Sequence, residues 1–185
     1  MKGRRHHRFV PAAALFLAGS LAWGAGIVPD RSSLTFVGKQ MGAPVEGLFH
    51  RFDGDIAFNP ADLAHSHARL EVDLSSIDLA SDESESEIKG KNWFHVSAYP
   101  KAVFESTAIR SLGGDRYEVT GRLTVKGISR ELVLPMQVHA VGGYRVAEGS
   151  TVLRRTDFNV GEGVWADPDS VALEVRVNYK IALKP

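Results

Sequence analysis

The sequence predicts a single antiparallel β-barrel, all-β apart from one short helix. Three observations carry this. About eight segments alternate apolar and polar residues with period two, the mark of strands that bury one face. Glycine-bearing turns separate several of them at hairpin spacing. The chain has 185 residues and no cysteine, so an apolar core rather than disulfides must hold it.

The first strand candidates are residues 33–37 and 45–58, the second bent near Asp53-Gly54; 67–74 and 102–109 follow. Tyr117, Val119, Gly121, Leu123 and Val125 then alternate with Glu118, Thr120, Arg122, Thr124 and Lys126. Gly113-Gly114-Asp115 turns the chain into that strand. Lys126-Gly127 turns it out again into 128–141, and Gly142-Gly143 leads on to 144–157. The last strand is the most regular: Val171, Leu173, Val175, Val177, Tyr179, Ile181 and Leu183 share one face.

One stretch, 81–91, breaks the pattern with the chemistry of a helix start. Ser81 or Ser84 can cap it, acids fill the first turn, and Glu87 stands three residues beyond Ser84 as in a capping box. Those acids suit the helix dipole better than a calcium ion. Trp93-Phe94 would close the segment onto something apolar.

Such strands can form a sandwich or a barrel. Closure removes exposed edges, and an eight-stranded barrel is just wide enough to fill with side chains or to hold one slender ligand. An outer-membrane barrel would need aromatic girdles and an outward apolar face. Here Tyr and Trp are few, and the chain ends Leu183-Lys184-Pro185, so stable membrane insertion is not expected.

Residues 1–24 are expected to be a cleaved signal peptide. Lys2, Arg4, Arg5 and Arg8 precede an apolar run from Phe9, too short to span a membrane, and Ala22-Trp23-Gly24 offers a cut before Ala25. An uncleaved anchor is the alternative. Removal leaves 18 basic against 22 acidic residues, a net charge of −4. That balance argues against nucleic acid, and the leader places the mature domain, 25–185, in the periplasm. A monomer and a homodimer are both allowed.

Little here points to catalysis. No Gly-x-Ser-x-Gly elbow and no cysteine nucleophile exist, so an enzyme is not expected. His65-Ser66-His67 could offer half a zinc site but reads as solvated surface, and no metal is expected. Trp165 is either a mouth-lining aromatic or a loop anchor. The interior-facing candidates are Leu34, Phe36, Phe49, Phe58, Leu70, Val72, Phe104, Val119, Leu123, Leu173 and Val175. Taken alone, these residues describe a dry, filled core better than a lipid pocket.

The stretch from Gly121 to Leu134, Gly-Arg-Leu-Thr-Val-Lys-Gly-Ile-Ser-Arg-Glu-Leu-Val-Leu, resembles a hairpin of the YceI-like, polyisoprenoid-binding proteins. Further pieces follow that family's order: Ser33-Leu34-Thr35-Phe36, Val45-Glu46-Gly47-Leu48-Phe49 with Phe52-Asp53-Gly54, Asn92-Trp93-Phe94 with Tyr99-Pro100, and Arg155-Thr156-Asp157-Phe158. The resemblance spans about 27–183. It implies a lipocalin-like extended barrel with a long apolar cavity for an isoprenoid chain, such as a polyisoprenoid or quinone tail, and no other cofactor. With it, the residues expected to contact lipid are Phe36, Phe49, Phe58, Trp93, Phe94, Phe104, Leu123 and Phe158. Arg31-Ser32, Gln40, Asn159 and Ala166-Asp167-Pro168-Asp169 depart from the family pattern at loops and mouth, which leaves the ligand's head-group open. The other classes are a hydrolase or isomerase working in the calyx, and a ligand-free barrel acting through its surface in envelope stress or assembly.

Overall fold

The computed structural model describes residues 24–184, so the expected leader lies outside the described residues except for Gly24. Its strands are β1 (Gly24–Gly26), β2 (Ser33–Gln40), β3 (Ala43–Phe49), β4 (Phe52–Ala57), β5 (His67–Asp73), β6 (Ile77–Leu79), β7 (Lys101–Gly113), β8 (Arg116–Val125), β9 (Ile128–Val141), β10 (Tyr144–Arg154) and β11 (Glu174–Leu183). They form one antiparallel sheet in the order β1-β4-β5-β7-β8-β9-β10-β11-β2-β3-β6.

Eleven strands stand where the periodicity suggests about eight. Segment 45–58 is two strands, broken at His50-Arg51 rather than bent at Asp53-Gly54. The other additions, β1 and β6, are three residues each, too short to show a period. The final strand starts at Glu174 rather than Val171, which makes only an isolated bridge to Gln40. The hairpin β8–β9 turns through Lys126 (φ 50°) and Gly127 (φ 75°), the two left-handed positions of a type I′ turn.

The helix α1 (Asp82–Lys89) is capped by Ser81, whose hydroxyl accepts from the Ser84 amide at 3.3 Å. The Ser84–Glu87 capping box does not form. Glu87 instead accepts from the Trp165 indole at 2.8 Å, and Glu85 from the Leu79 amide at 3.1 Å, which ties the helix to β6.

The sheet curls into a barrel. Residues 24–28 fill a place in its wall: β1 pairs with β4, while Ile27 bridges to Leu183 and the Val28 amide donates to Ala182 at 2.8 Å. That end is sealed by Phe58, Ile109, Tyr117, Val119 and Val138, with Phe58 edge-on to Tyr117 at 4.9 Å.

The wall is not continuous. β9 and β10 pair from Tyr144–Val141 to Glu148–Gln137 and then part, leaving Ile128–Met136 and Gly149–Arg154 without partners across this seam. The cause lies in Pro135. Counting outward from the hairpin, Pro135 opposes Glu118 at a position whose backbone points away from β8, toward β10. A proline has no N–H to offer there, so the ladder ends.

Candidate lipid-binding site

The barrel encloses a cavity of about 390 Å³ that opens at the end carrying the β8–β9 hairpin and residues 155–172. This lies within the ~300–1,000 Å³ of ligand pockets. Small inward residues make the room. Ala68, Ala102 and Ala147 line the cavity, and three aromatic rings lie over glycines of neighbouring strands. A Cβ on Gly47 would fall 2.4 Å from the Phe36 ring, and one on Gly121 would fall 2.4 Å from the Phe104 ring. On Gly149 it would fall 2.6 Å from the Tyr179 hydroxyl. Only glycine lets these rings lie flat against the wall. Rings standing upright would fill the lumen.

Phe36, Phe49, Phe94 and Phe104 line the cavity with Leu123, Trp93 and Phe158. The first three interlock, with Phe36–Phe49 centroids 5.7 Å apart and Phe49–Phe94 centroids 6.3 Å apart. Two expected interior residues do not join them. Phe58 packs into the sealed end, since strand phase gives the face of a residue but not its depth along the barrel. Leu173 lies in the loop before β11 and is only half-buried. The alternation pointed less clearly to the opposite wall, where Leu132, Leu134 and Met136 of β9 face Leu153 of β10 beside the seam.

Arg155 was not among the expected site residues, although it opens the Arg-Thr-Asp-Phe motif. It is 5% exposed and lines the cavity mouth. Its Nε donates to Ala172 (3.0 Å), Nη1 to Val160 and Gly161 (2.9 Å each), and Nη2 to Trp165 (2.6 Å) and Val171 (2.8 Å). All five N–H groups go to backbone carbonyls, which clamps residues 155–172 into a strap across the mouth. Desolvation pushes this guanidinium below its ordinary value. A Cβ on Gly161 (φ 80°) would lie 2.2 Å from Nη1, so the strap needs glycine there.

The strap joins the 90–99 segment through the Asn92 carbonyl, which accepts from the amides of Gly161 (2.9 Å) and Glu162 (2.7 Å). Trp165 proves to be both lining and anchor: it faces the cavity, stacks obliquely on Trp93 at 5.7 Å and bonds Glu87. Elsewhere, His65 pairs with Asp62 at 2.9 Å and His67 with Asp55 at 3.4 Å, each exposed. Among the described residues no three metal-ligating side chains converge.

A curled antiparallel barrel around an apolar cavity, strapped at one end, defines a lipocalin-like fold. Residues 26–183 match the YceI-like domain, and the chain belongs to the YceI-like family. A UPF0312 protein of Ectopseudomonas mendocina is 27% identical over 176 residues, covering 87% of this chain and 92% of that one. The crystal structure of Burkholderia cenocepacia BcnA superposes with a TM-score of 0.81 at 36% identity, covering 84% of this chain and 98% of BcnA. A polyisoprenoid binding domain from Saccharophagus degradans, implicated in plant cell wall breakdown, superposes at 0.72 with 15% identity, over 87% of this chain and 98% of that domain. At that identity the likeness is one of fold.

Proposed function

We propose that the protein is exported by its N-terminal leader and serves in the periplasm as a carrier or sequestering protein for an isoprenoid lipid. The cavity wall is the observation that supports this most. It is aliphatic and aromatic along most of its length; of its charged members, Glu87 holds Trp165 and Arg155 is spent on carbonyls, while Lys39 is exposed near the end of β2. An apolar cavity of this kind stays dry when empty and gains by taking apolar carbon. Each buried methylene is worth about 0.8 kcal/mol. An isoprene unit therefore supplies on the order of 3–4 kcal/mol, and two or three buried units offset the cost of association.

The same lining speaks for binding rather than catalysis. A hydrolase in the calyx would need a nucleophile beside a base, and no such pair stands among the described lining residues.

Titration of delipidated protein with farnesene, read by fluorescence of the mouth tryptophans Trp93 and Trp165, tests the reading. Saturable quenching at one site per chain is expected. A linear, unsaturable response would remove the carrier function.

A further inference from the structure

The mouth of the barrel and the seam in its wall are held very differently. At the mouth, the strap 155–172 is fixed by the five Arg155 hydrogen bonds, by two amides on the Asn92 carbonyl and by the Trp165 indole on Glu87. Moving the strap breaks these together and strands a buried guanidinium, which is costly. The seam between β9 and β10 has no such framework. No ladder rung joins Ile128–Met136 to Gly149–Arg154. Among the described residues one side-chain hydrogen bond crosses it, from Tyr179 to the Pro135 carbonyl.

Behind each edge the backbone is paired, β9 with β8 as far as Ile128 and β10 with β11 as far as Arg154. The edges are therefore stiff, and they can swing apart about the last rung, Glu148–Gln137, without breaking a ladder. The seam also runs along the cavity rather than across its end. Leu132, Leu134 and Met136 line the lumen from one edge, Thr151 and Leu153 from the other. The exposed Val133 and Val152 carry the apolar path to the outside. A groove on the outer surface reaches in to Met136 and Tyr179, which also border the cavity. At that point a layer of side chains, not paired backbone, separates lumen from solvent.

We propose that this seam is a lateral gate, latched by Tyr179, through which the ligand's apolar chain passes sideways into and out of the cavity. The inference rests on the carrier reading and adds the route. Entry through the mouth would thread a methyl-branched chain end-on past the fixed strap. Entry through the seam breaks one latch bond and offers aliphatic contacts throughout. A gate changes the barrier and not the end states, so it alters entry and release by one factor and leaves affinity alone.

The chain has no cysteine, so Val133→Cys/Val152→Cys places two unique thiols on the outer faces of the seam, away from the lumen. The delipidated protein is bridged with a short bismaleimide, confirmed by mass, or capped with N-ethylmaleimide. Farnesene entry is followed by the fluorescence of Trp93 and Trp165, and release by transfer into excess β-cyclodextrin. The bridged protein should take up and release farnesene about tenfold more slowly than the capped one, with the same affinity. Tyr179→Phe keeps the ring, removes the latch and needs no cysteine; it should speed entry and release alike, about fivefold for one hydrogen bond. Equal rates in bridged and capped protein, or parent rates in Tyr179→Phe, would overturn the gate and leave the carrier reading standing. A bridge that weakens affinity without slowing entry would make the seam part of the binding wall and overturn the gate as well. No saturable binding of farnesene by the parent would overturn both readings.

Discussion

The hydroxyl of Tyr179 donates to the carbonyl of Pro135, reaching from β11 past β10 over the bare backbone of Gly149. Three residues meet at this point for one reason. Pro135 ends the β9–β10 ladder and leaves its own carbonyl facing the seam, Gly149 provides the gap, and Tyr179 fills it with the missing donor. The exposed Val133 and Val152 lie farther along the same seam, 50% and 46% exposed.

Tyr179 therefore links pH to stability. Burial pushes its ionisation from 10.0 up to about 12. The folded protein keeps the phenolic proton where the unfolded chain would release it. The stabilisation is intact below pH 10 and is lost as pH rises through about 12. It amounts to on the order of 1–2 kcal/mol after allowance for partial exposure. Denaturation midpoints measured from pH 9 to 12 should fall more steeply for the parent than for Tyr179→Phe; parallel curves would contradict this.

Gly121→Ala tests the flat ring. Its Cβ would meet the Phe104 ring at 2.4 Å and the Glu105 carbonyl at 2.5 Å, so both strand and ring must shift. A loss of about 1–3 kcal/mol is expected from overpacking, together with a smaller cavity. Gly113→Ala serves as a comparison: space there is open, but its φ of 95° carries backbone strain instead. Only the first variant should change ligand capacity.

Arg155→Lys asks whether the strap needs charge or the guanidinium fork. An ammonium has three donors on one atom and cannot reach carbonyls spread from Val160 to Ala172. The lysine variant should lose about 2–4 kcal/mol in urea denaturation, nearly as much as Arg155→Met. Parent-like stability in the lysine variant would show that charge alone suffices.

The strands were legible because alternation is local: each residue's face follows from its neighbours two positions away. The three hairpins that join β7 to β10 are each announced by glycine, at Gly113-Gly114, Gly127 and Gly142-Gly143. What escaped the sequence depends on things far apart. The seam needs Pro135, Gly149 and Tyr179 to meet from three strands. The depth of Phe58 along the barrel is invisible to a period of two. The burial of Arg155 follows from five carbonyls gathered by a loop with no regular pattern. An empty rather than filled lumen follows from the placing of Gly47, Gly121 and Gly149 beneath rings, which composition does not reveal. Processing of the leader is a separate expectation: N-terminal sequencing of the periplasmic fraction should begin at or near Ala25, and an intact Met1 would contradict it.

The most direct test of the central claim is native mass spectrometry of protein purified without detergent, comparing the parent with Leu123→Trp and Thr124→Trp. Leu123 lines the cavity, whereas the Thr124 hydroxyl meets Ser129 on the outer face at 2.7 Å. The account predicts an isoprenoid lipid carried by the parent and by Thr124→Trp, and its loss from a folded Leu123→Trp whose indole occupies the lipid's volume. A parent that carries no lipid, or a Leu123→Trp variant that retains it in full, would contradict the account.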